Sequence, residues 1–399
     1  MYNMNRILHF VLMDFEWDMT GPINQLAFER TAAKSLEPNF LWETKCFTLG
    51  KKASEYDFVI TFTPSKMKGL FGRIHNNIKL RRTAFQWLKE HQNQYDAVVM
   101  RYGYAEPFLY WNSRWFKNVF TVHHAFEVEQ IQLGAGIKRL LASFLGKPDL
   151  SQTKIINSLG NGLVAMAVFI EKHIGKRILA RTKGVIGVTH EITEHENARL
   201  KQKKPCYFFP NGIDIYSIEL AEDERTGIPK LVFIASDVTL SWHGLDLLID
   251  ILRTSKELFE VHIVGSSYSQ FAEACAGDER FIFHGMRDWD YRKRIFAKCD
   301  IGIGTLALER KGIKEACSLK VREYLAAGLP VYSGHKDAGL PDGFPFYKQS
   351  VVDTTKILNY AKECRKFSRK EVRKQATPYI DKKNLMLDLA LWITEVIQK

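Results

Sequence analysis

The sequence predicts an α/β protein of two Rossmann-like domains, and three observations carry that prediction. Short apolar runs alternate with stretches of helical spacing along all 399 residues, the pattern of βαβ units whose parallel strands are covered by helices on both faces. The eleven runs are too many for one comfortable doubly wound sheet and divide naturally into six and five. With 46% hydrophobic and 26% charged residues and no biased tract, the composition is that of folded domains, and roughly 150 residues per domain gives two or three of them.

In order along the chain, the first run is 7–13. It has no basic leader or small-residue cleavage site and ends in the acidic Asp14-Phe-Glu-Trp-Asp18, so it reads as a buried strand. Runs 58–62, 97–101, 119–122, 185–189 and 206–209 complete the first set, and runs 231–235, 261–264, 281–284, 301–305 and 330–333 make the second. Turn residues in Pro210-Asn-Gly-Ile-Asp214 and the polar stretch 219–229 lie between the sets, so the domains are expected over 1–215 and 216–377. From Pro378 onward Leu385, Leu389, Trp392, Ile393 and Val396 recur at helical spacing and predict a terminal helix over 378–399. The longest apolar stretch, 163–170, falls far short of the ~20 residues that span a bilayer, and no transmembrane helix is expected.

Lys plus Arg exceed Asp plus Glu by 57 to 45, a formal net charge of +12, which favours anionic partners: phosphates, nucleic acid or an acidic membrane surface. Between Phe58 and Lys89 there is no acid, but there are Lys66, Lys68, Arg73, Lys79, Arg81, Arg82 and Lys89. Met67, Leu70, Phe71, Ile74 and Ile78 recur there at helical spacing, and Ile137, Leu140, Leu141, Phe144 and Leu145 repeat the pattern beside Lys138 and Arg139. The ordinary reading is two helices packed on a sheet; the other is a face turned to anionic lipid. Cys46, Cys206, Cys275, Cys299, Cys317 and Cys364 form no CxxC pair, so neither a zinc site nor a disulfide framework is indicated and a reducing, cytoplasmic setting fits.

The chemistry concentrates in residues 299–331. A buried strand ends in a basic loop; Ser318 is suited to N-cap a helix over 319–327; Gly328 is its C′ residue and Pro330 opens the next strand. A helix N-terminus at the carboxyl end of a parallel strand offers free N–H groups and partial positive charge to a phosphate. Lys320 and Glu323 share one helical face, where an ammonium would meet a phosphate and a carboxylate the hydroxyls of a ribose.

Glu315 and Glu323, followed by Tyr324-Leu-Ala-Ala-Gly-Leu-Pro-Val331, resemble the E-x7-E signature of retaining GT-B glycosyltransferases, above all the family-4 group. Pro210-Asn-Gly-Ile-Asp214 is similar to that family's P-N-G-[IV]-D, and Trp242-His-Gly-Leu-Asp-Leu-Leu-Ile249 to its K-G-x-x-x-L-I. Phe283-His-Gly285 is similar to its F-x-G, and Thr121-Val-His-His-Ala-Phe-Glu127 to its H-x-x-E-type loop. The resemblance implies a cleft between two Rossmann-like domains and a C-terminal helix crossing back onto the first. It implies that Glu323 holds the ribose, Glu315 the hydroxyls of the donor sugar, and Ser318, Leu319 and Lys320 the diphosphate. His243 and Gly244 would stand at the K-G position of the donor site, and His124, in preference to His123, against the transferred sugar. Ala235-Ser-Asp-Val-Thr-Leu-Ser-Trp-His243 lacks the family's diphosphate-gripping Arg and Lys, which leaves Lys311, Lys314, Lys320 and Arg322 as candidates. Glu315-Ala-Cys-Ser318 stands where the family has E-G-F-G.

The function so implied is metal-independent transfer of a hexosyl unit, with retention, from a nucleotide-sugar donor to a saccharide or lipid-linked acceptor. A bacterial cell-surface polysaccharide pathway at the inner face of the cytoplasmic membrane is the expected setting. No separate cofactor, metal or nucleic acid is expected. Asp288-Trp-Asp290 reads as a helix cap rather than a metal motif, and Gly302-Ile-Gly-Thr-Leu-Ala307, although it fits a dinucleotide fingerprint, is not followed at once by a helix. A GT-B epimerase or phosphorylase is the first alternative, and a basic nucleic-acid module the second.

Overall fold

The computed structural model describes residues 5–13, 20–49, 56–62, 69–132 and 154–399. The chain divides into two compact units, Met1–Phe209 with Met386–Lys399, and Pro210–Leu385.

The first unit is built on β1 (Asn5–Met13), β2 (Phe40–Thr48), β3 (Val59–Thr61), β4 (Ala97–Arg101), β5 (Val119–His123), β6 (Gly184–Gly187) and β7 (Cys206–Phe208). They form one parallel sheet in the order β3-β2-β1-β4-β5-β6-β7. The apolar-run expectation omits β2, because Glu43, Thr44 and Lys45 interrupt the pattern. The fold accommodates them: Tyr95 Oη donates to Glu43 at 2.8 Å and Lys45 Nζ pairs with Glu43 at 3.0 Å, while Trp42, Thr44 and Cys46 are buried. Helix Gly69–His91 places Leu80, Ala84, Phe85 and Leu88 in the core with Leu8, Phe10, Val98 and Met100, the i, i+4, i+8 spacing of one helical face. Its first turns carry Phe71, Ile74 and Ile78 exposed.

The second unit is built on β8 (Lys230–Asp237), β9 (Glu260–Ser266), β10 (Phe281–Gly285), β11 (Ile301–Ile303), β12 (Glu315–Ala316), β13 (Val331–Ser333), β14 (Lys336–Asp337) and β15 (Tyr347–Gln349). Six make a parallel sheet, β10-β9-β8-β11-β13-β15, and β12 pairs with β14 in a separate parallel ladder. β15 was not expected from sequence because a short polar edge strand, Tyr-Lys-Gln, has no apolar run to show. The core packs Leu245, Leu248 and Leu252 of helix Leu245–Arg253 against Leu231, Phe233, Val261, Ile263 and Ile301 of the sheet. Successive strands run outward from β8 on one side and from β11 on the other, so the gap between their carboxyl ends is the topological switch point of this sheet, where ligands of open α/β sheets bind.

The terminal helix starts later than expected. Pro378 lies in the last turn of helix Arg369–Ile380, and the final helix is Lys382–Gln398. The break falls at Asp381, whose extended backbone (φ −72°, ψ 116°) bridges to Ile213. Trp392 of that helix packs on Phe120 and Tyr207, both in the first unit, with ring centroids at 5.4 and 5.0 Å. Among the described residues no helix is long and apolar enough to cross a membrane.

Candidate functional site

Helix Leu319–Ala327 is held rigidly before any ligand is considered. Tyr324 Oη accepts from Ile234 N at 2.9 Å and lies 3.2 Å from Val232 O, tying the helix to β8. Gly302 is glycine because the Tyr324 ring occupies its side-chain place: a Cβ there would lie 2.5 Å from the ring. The glycines of Gly302-Ile-Gly304 thus serve close packing, and a 3₁₀ turn, Leu308–Lys311, follows instead of a dinucleotide-binding helix. Gly328, at φ +87° and with Arg369 O 2.6 Å from where its Cβ would be, closes the helix.

Ser318 is the N-cap residue, but its side chain accepts no bond from the helix, contrary to the sequence expectation. Among the described residues its Oγ is buried with no partner. Two residues on, Lys320 Nζ sits 4.6 Å above the Phe233 ring and 3.2 Å from Gly304 O. Burial pulls this ammonium down from 10.5 to about 7. His243 follows β8 and is lowered to about 3, first by burial and then by Lys320 and Lys311; its Nδ1 is buried without a partner. Lys311, also lowered by burial, lies over the Trp242 ring at 4.7 Å. Gly244 takes φ +71°, and a Cβ would meet Leu306 Cβ at 2.8 Å, so glycine is required where the turn hands over to helix Leu245–Arg253. His335, after β13, bonds Thr305 O and Ser333 Oγ through Nδ1, both at 3.0 Å, and leaves Nε2 buried and unpartnered. Sequence reasoning missed His335, which carries no motif; burial lowers it and Lys320 adds to that. Lys320 thus acts electrostatically on both His243 and His335, Lys311 also acts on His243, and among the described residues Ser318 Oγ, His243 Nδ1 and His335 Nε2 are buried without a partner.

Of the proposed cations, Arg322 is removed by the structure: its guanidinium is fully buried against Asp337. Lys314 is exposed on its loop. Glu323 is not a solvated helix carboxylate. Arg292 Nη1 binds its Oε2 at 2.6 Å, and burial raises its pKa while Arg292 works against that. Arg292 was also missed, being 31 positions from Glu323 on helix Trp289–Lys298. Asp288 caps that helix, accepting from Tyr291 N at 3.0 Å. Glu315, on β12, is 17% exposed and 3.8 Å from Lys336 Nζ.

In the first unit His123 ends β5, fully buried, with Nδ1 3.1 Å from Glu127 Oε1 and its ring against Tyr102. Burial lowers it to about 4. Glu127 belongs with Glu171, Glu196 and Arg199 to a buried network, in which Arg199 holds Glu171 at 2.6 Å and also pairs with Glu196. His124, one residue further, is half-buried.

Residues 228–356 match the family Glycosyl transferases group 1. All of the second-unit site, from Phe233 to His335, falls within that span. The fold is GT-B, shared with solved structures at low sequence identity. Sucrose-phosphate synthase from Thermosynechococcus elongatus aligns at TM-score 0.65 and 13% identity over 99% of each chain. The lipopolysaccharide outer core galactosyltransferase WaaB aligns at TM-score 0.61 and 11% identity over 98% of this chain and 99% of its own. Anabaena HepE, solved with UDP and glucose, aligns at 0.60 and 14% over 98% and 100%. No curated protein matches the chain by sequence. Helix Leu319–Ala327, which carries Lys320 and Glu323, follows the strands of this parallel sheet, and a helix N-terminus there presents backbone dipoles of the sign that suits an anion.

Proposed function

We propose that the protein transfers a sugar from a nucleotide-sugar donor to a saccharide or lipid-linked acceptor, with retention and without a metal. One observation carries the reading: in the first turn of helix Leu319–Ala327 a buried Lys320 interacts electrostatically with His243, which Lys311 also reaches, and with His335, while Ser318 Oγ, His243 Nδ1 and His335 Nε2 are buried without a partner among the described residues. Groups desolvated at such a cost suit a diphosphate, whose charge rises as the sugar leaves; fixed cations and dipoles then stabilise the leaving group without reorganising. Arg292 would hold one oxygen of Glu323 and turn the other to the ribose, and Glu315 would take the hydroxyls of the sugar. The role of His124 rests on the resemblance. HepE was solved with UDP and glucose, which makes UDP-sugars the first donors to try.

Glu323→Ala should weaken nucleoside diphosphate binding by about tenfold or more, because two hydrogen bonds to a charged group are worth ~1.5–3 kcal/mol each. Glu315→Ala should lower nucleotide-sugar turnover more than binding of the bare nucleotide. Calorimetry and donor hydrolysis measure both; unchanged nucleotide affinity in Glu323→Ala removes it from the site. Proton NMR of the first product should show the donor's anomeric configuration, in reactions that survive EDTA.

A lipid-linked acceptor is favoured by helix Gly69–His91, which exposes Phe71 (78%), Ile74 and Ile78 beside the exposed Lys79 and Arg82. That combination suits an anionic leaflet at the cytoplasmic side. Lys66, Met67, Lys68 and the second basic-apolar pattern, 137–145, lie outside the described residues.

A further inference from the structure

Arg322 has the largest fully buried side chain described in the protein, and the donor site as proposed does not use it. Its Nη1 and Nη2 donate to Asp337 Oδ2 and Oδ1 at 2.6 and 2.7 Å, Nη2 also to Cys317 Sγ at 2.7 Å, and Nε to Asn211 O at 3.0 Å. Asn211 closes the arrangement: its N donates to Cys317 Sγ at 3.1 Å and its Nδ2 to Cys317 O at 2.6 Å. Space for the guanidinium exists because residue 339 is glycine; a Cβ there would lie 2.3 Å from Nη2. Asp337, through the register of β12 with β14, sits opposite Ala316, next to Glu315.

Every partner of Arg322 thus borders the segment 315–318, which joins Glu315 to the helix N-terminus. Apolar side chains of the same volume hold a core at least as well as a buried ion pair does. What the guanidinium adds is direction, with five donors in a rigid fork. We infer that Arg322 is a positioning residue for the donor sugar: gripped by Asp337, Asn211 and Cys317, it fixes Glu315 at one distance from the phosphate-binding end of the helix. The inference rests on the donor-site reading above and adds to it the residue that sets Glu315.

The test compares the full-length wild type with Arg322→Lys and with the double variant Arg322→Met/Asp337→Leu. Thermal midpoint is measured, together with the dissociation constants of the nucleoside diphosphate that the wild type binds, tried as UDP, GDP and ADP, and of its glucose ester. The double variant should melt near the wild type and bind the bare nucleotide within about threefold, since Lys320 and Glu323 are untouched, while the ratio of the two constants shifts by about tenfold or more against the sugar ester. Arg322→Lys, which keeps charge but not the fork, should fall between. Should the double variant not fold, Arg322→Lys decides alone by the same ratio. An unchanged ratio, or equal losses for nucleotide and ester, overturns the inference and leaves the donor-site reading standing. A wild type that binds no nucleoside diphosphate overturns both.

Discussion

At Lys320 an ammonium group rests on the Phe233 ring with one carbonyl, Gly304 O, for company. Burial lowers it from 10.5 to about 7, so between those values the unfolded chain binds more protons than the folded one. The stability of the empty protein should therefore rise with pH across that window. On the proposed reading diphosphate binding uses the ammonium and should run the other way. Above pH 7, where the ligand is fully ionised, affinity should fall by up to about tenfold per pH unit. Calorimetry with UDP at pH 7, 8 and 9 reads the slope, and Lys320→Arg, charged throughout, should flatten it. His243 and His335, both lowered, stay neutral over this range and add no slope of their own.

Among the elements, helix Leu319–Ala327 shows how packing prepares chemistry. Tyr324 fixes it to β8 through Oη, and the Tyr324 ring fills the space that Gly302 leaves open. Tyr324→Phe removes the hydroxyl that accepts from Ile234 N, so it should cost about 1–3 kcal/mol in urea unfolding, the range for a buried donor left unpaired. Gly302→Ala should cost a similar amount, about 1–3 kcal/mol, by overpacking against a ring that cannot retreat. Both variants should also weaken nucleotide binding, because a tilted helix misdirects its N–H groups; wild-type affinity in a destabilised Tyr324→Phe protein would separate the anchor from the site.

For the whole molecule, the net charge of +12 is not spread evenly, and the apolar stripe Phe71, Ile74 and Ile78 lies on a helix whose sequence holds no acid before Glu90. Co-sedimentation with vesicles should require anionic lipid, where each near-surface base contributes about 1 kcal/mol, fall as salt screens that attraction, and drop in Phe71→Ser/Lys79→Gln/Arg82→Gln. Equal recovery in the supernatant with neutral and anionic vesicles would leave only the packed-helix reading.

Alternation of apolar runs with helical spacing, together with the punctuation around Ser318, Gly328 and Pro330, determined the α/β class, the two parallel sheets and the helix bearing Lys320 and Glu323. These signals are local: burial on both faces makes a parallel strand continuously apolar, and a helix end needs its own cap. β2 escaped because neighbours, not its own composition, satisfy its polar residues, and β15 because a short edge strand with exposed Lys348 and Gln349 has no apolar run. Only the tertiary structure decided that Arg322 is buried against Asp337, that Arg292 holds Glu323, and that His335 is buried within reach of the Lys320 charge. Each of these depends on which residues meet across 15 to 31 positions of chain, and sequence spacing carries no trace of a contact made through folding.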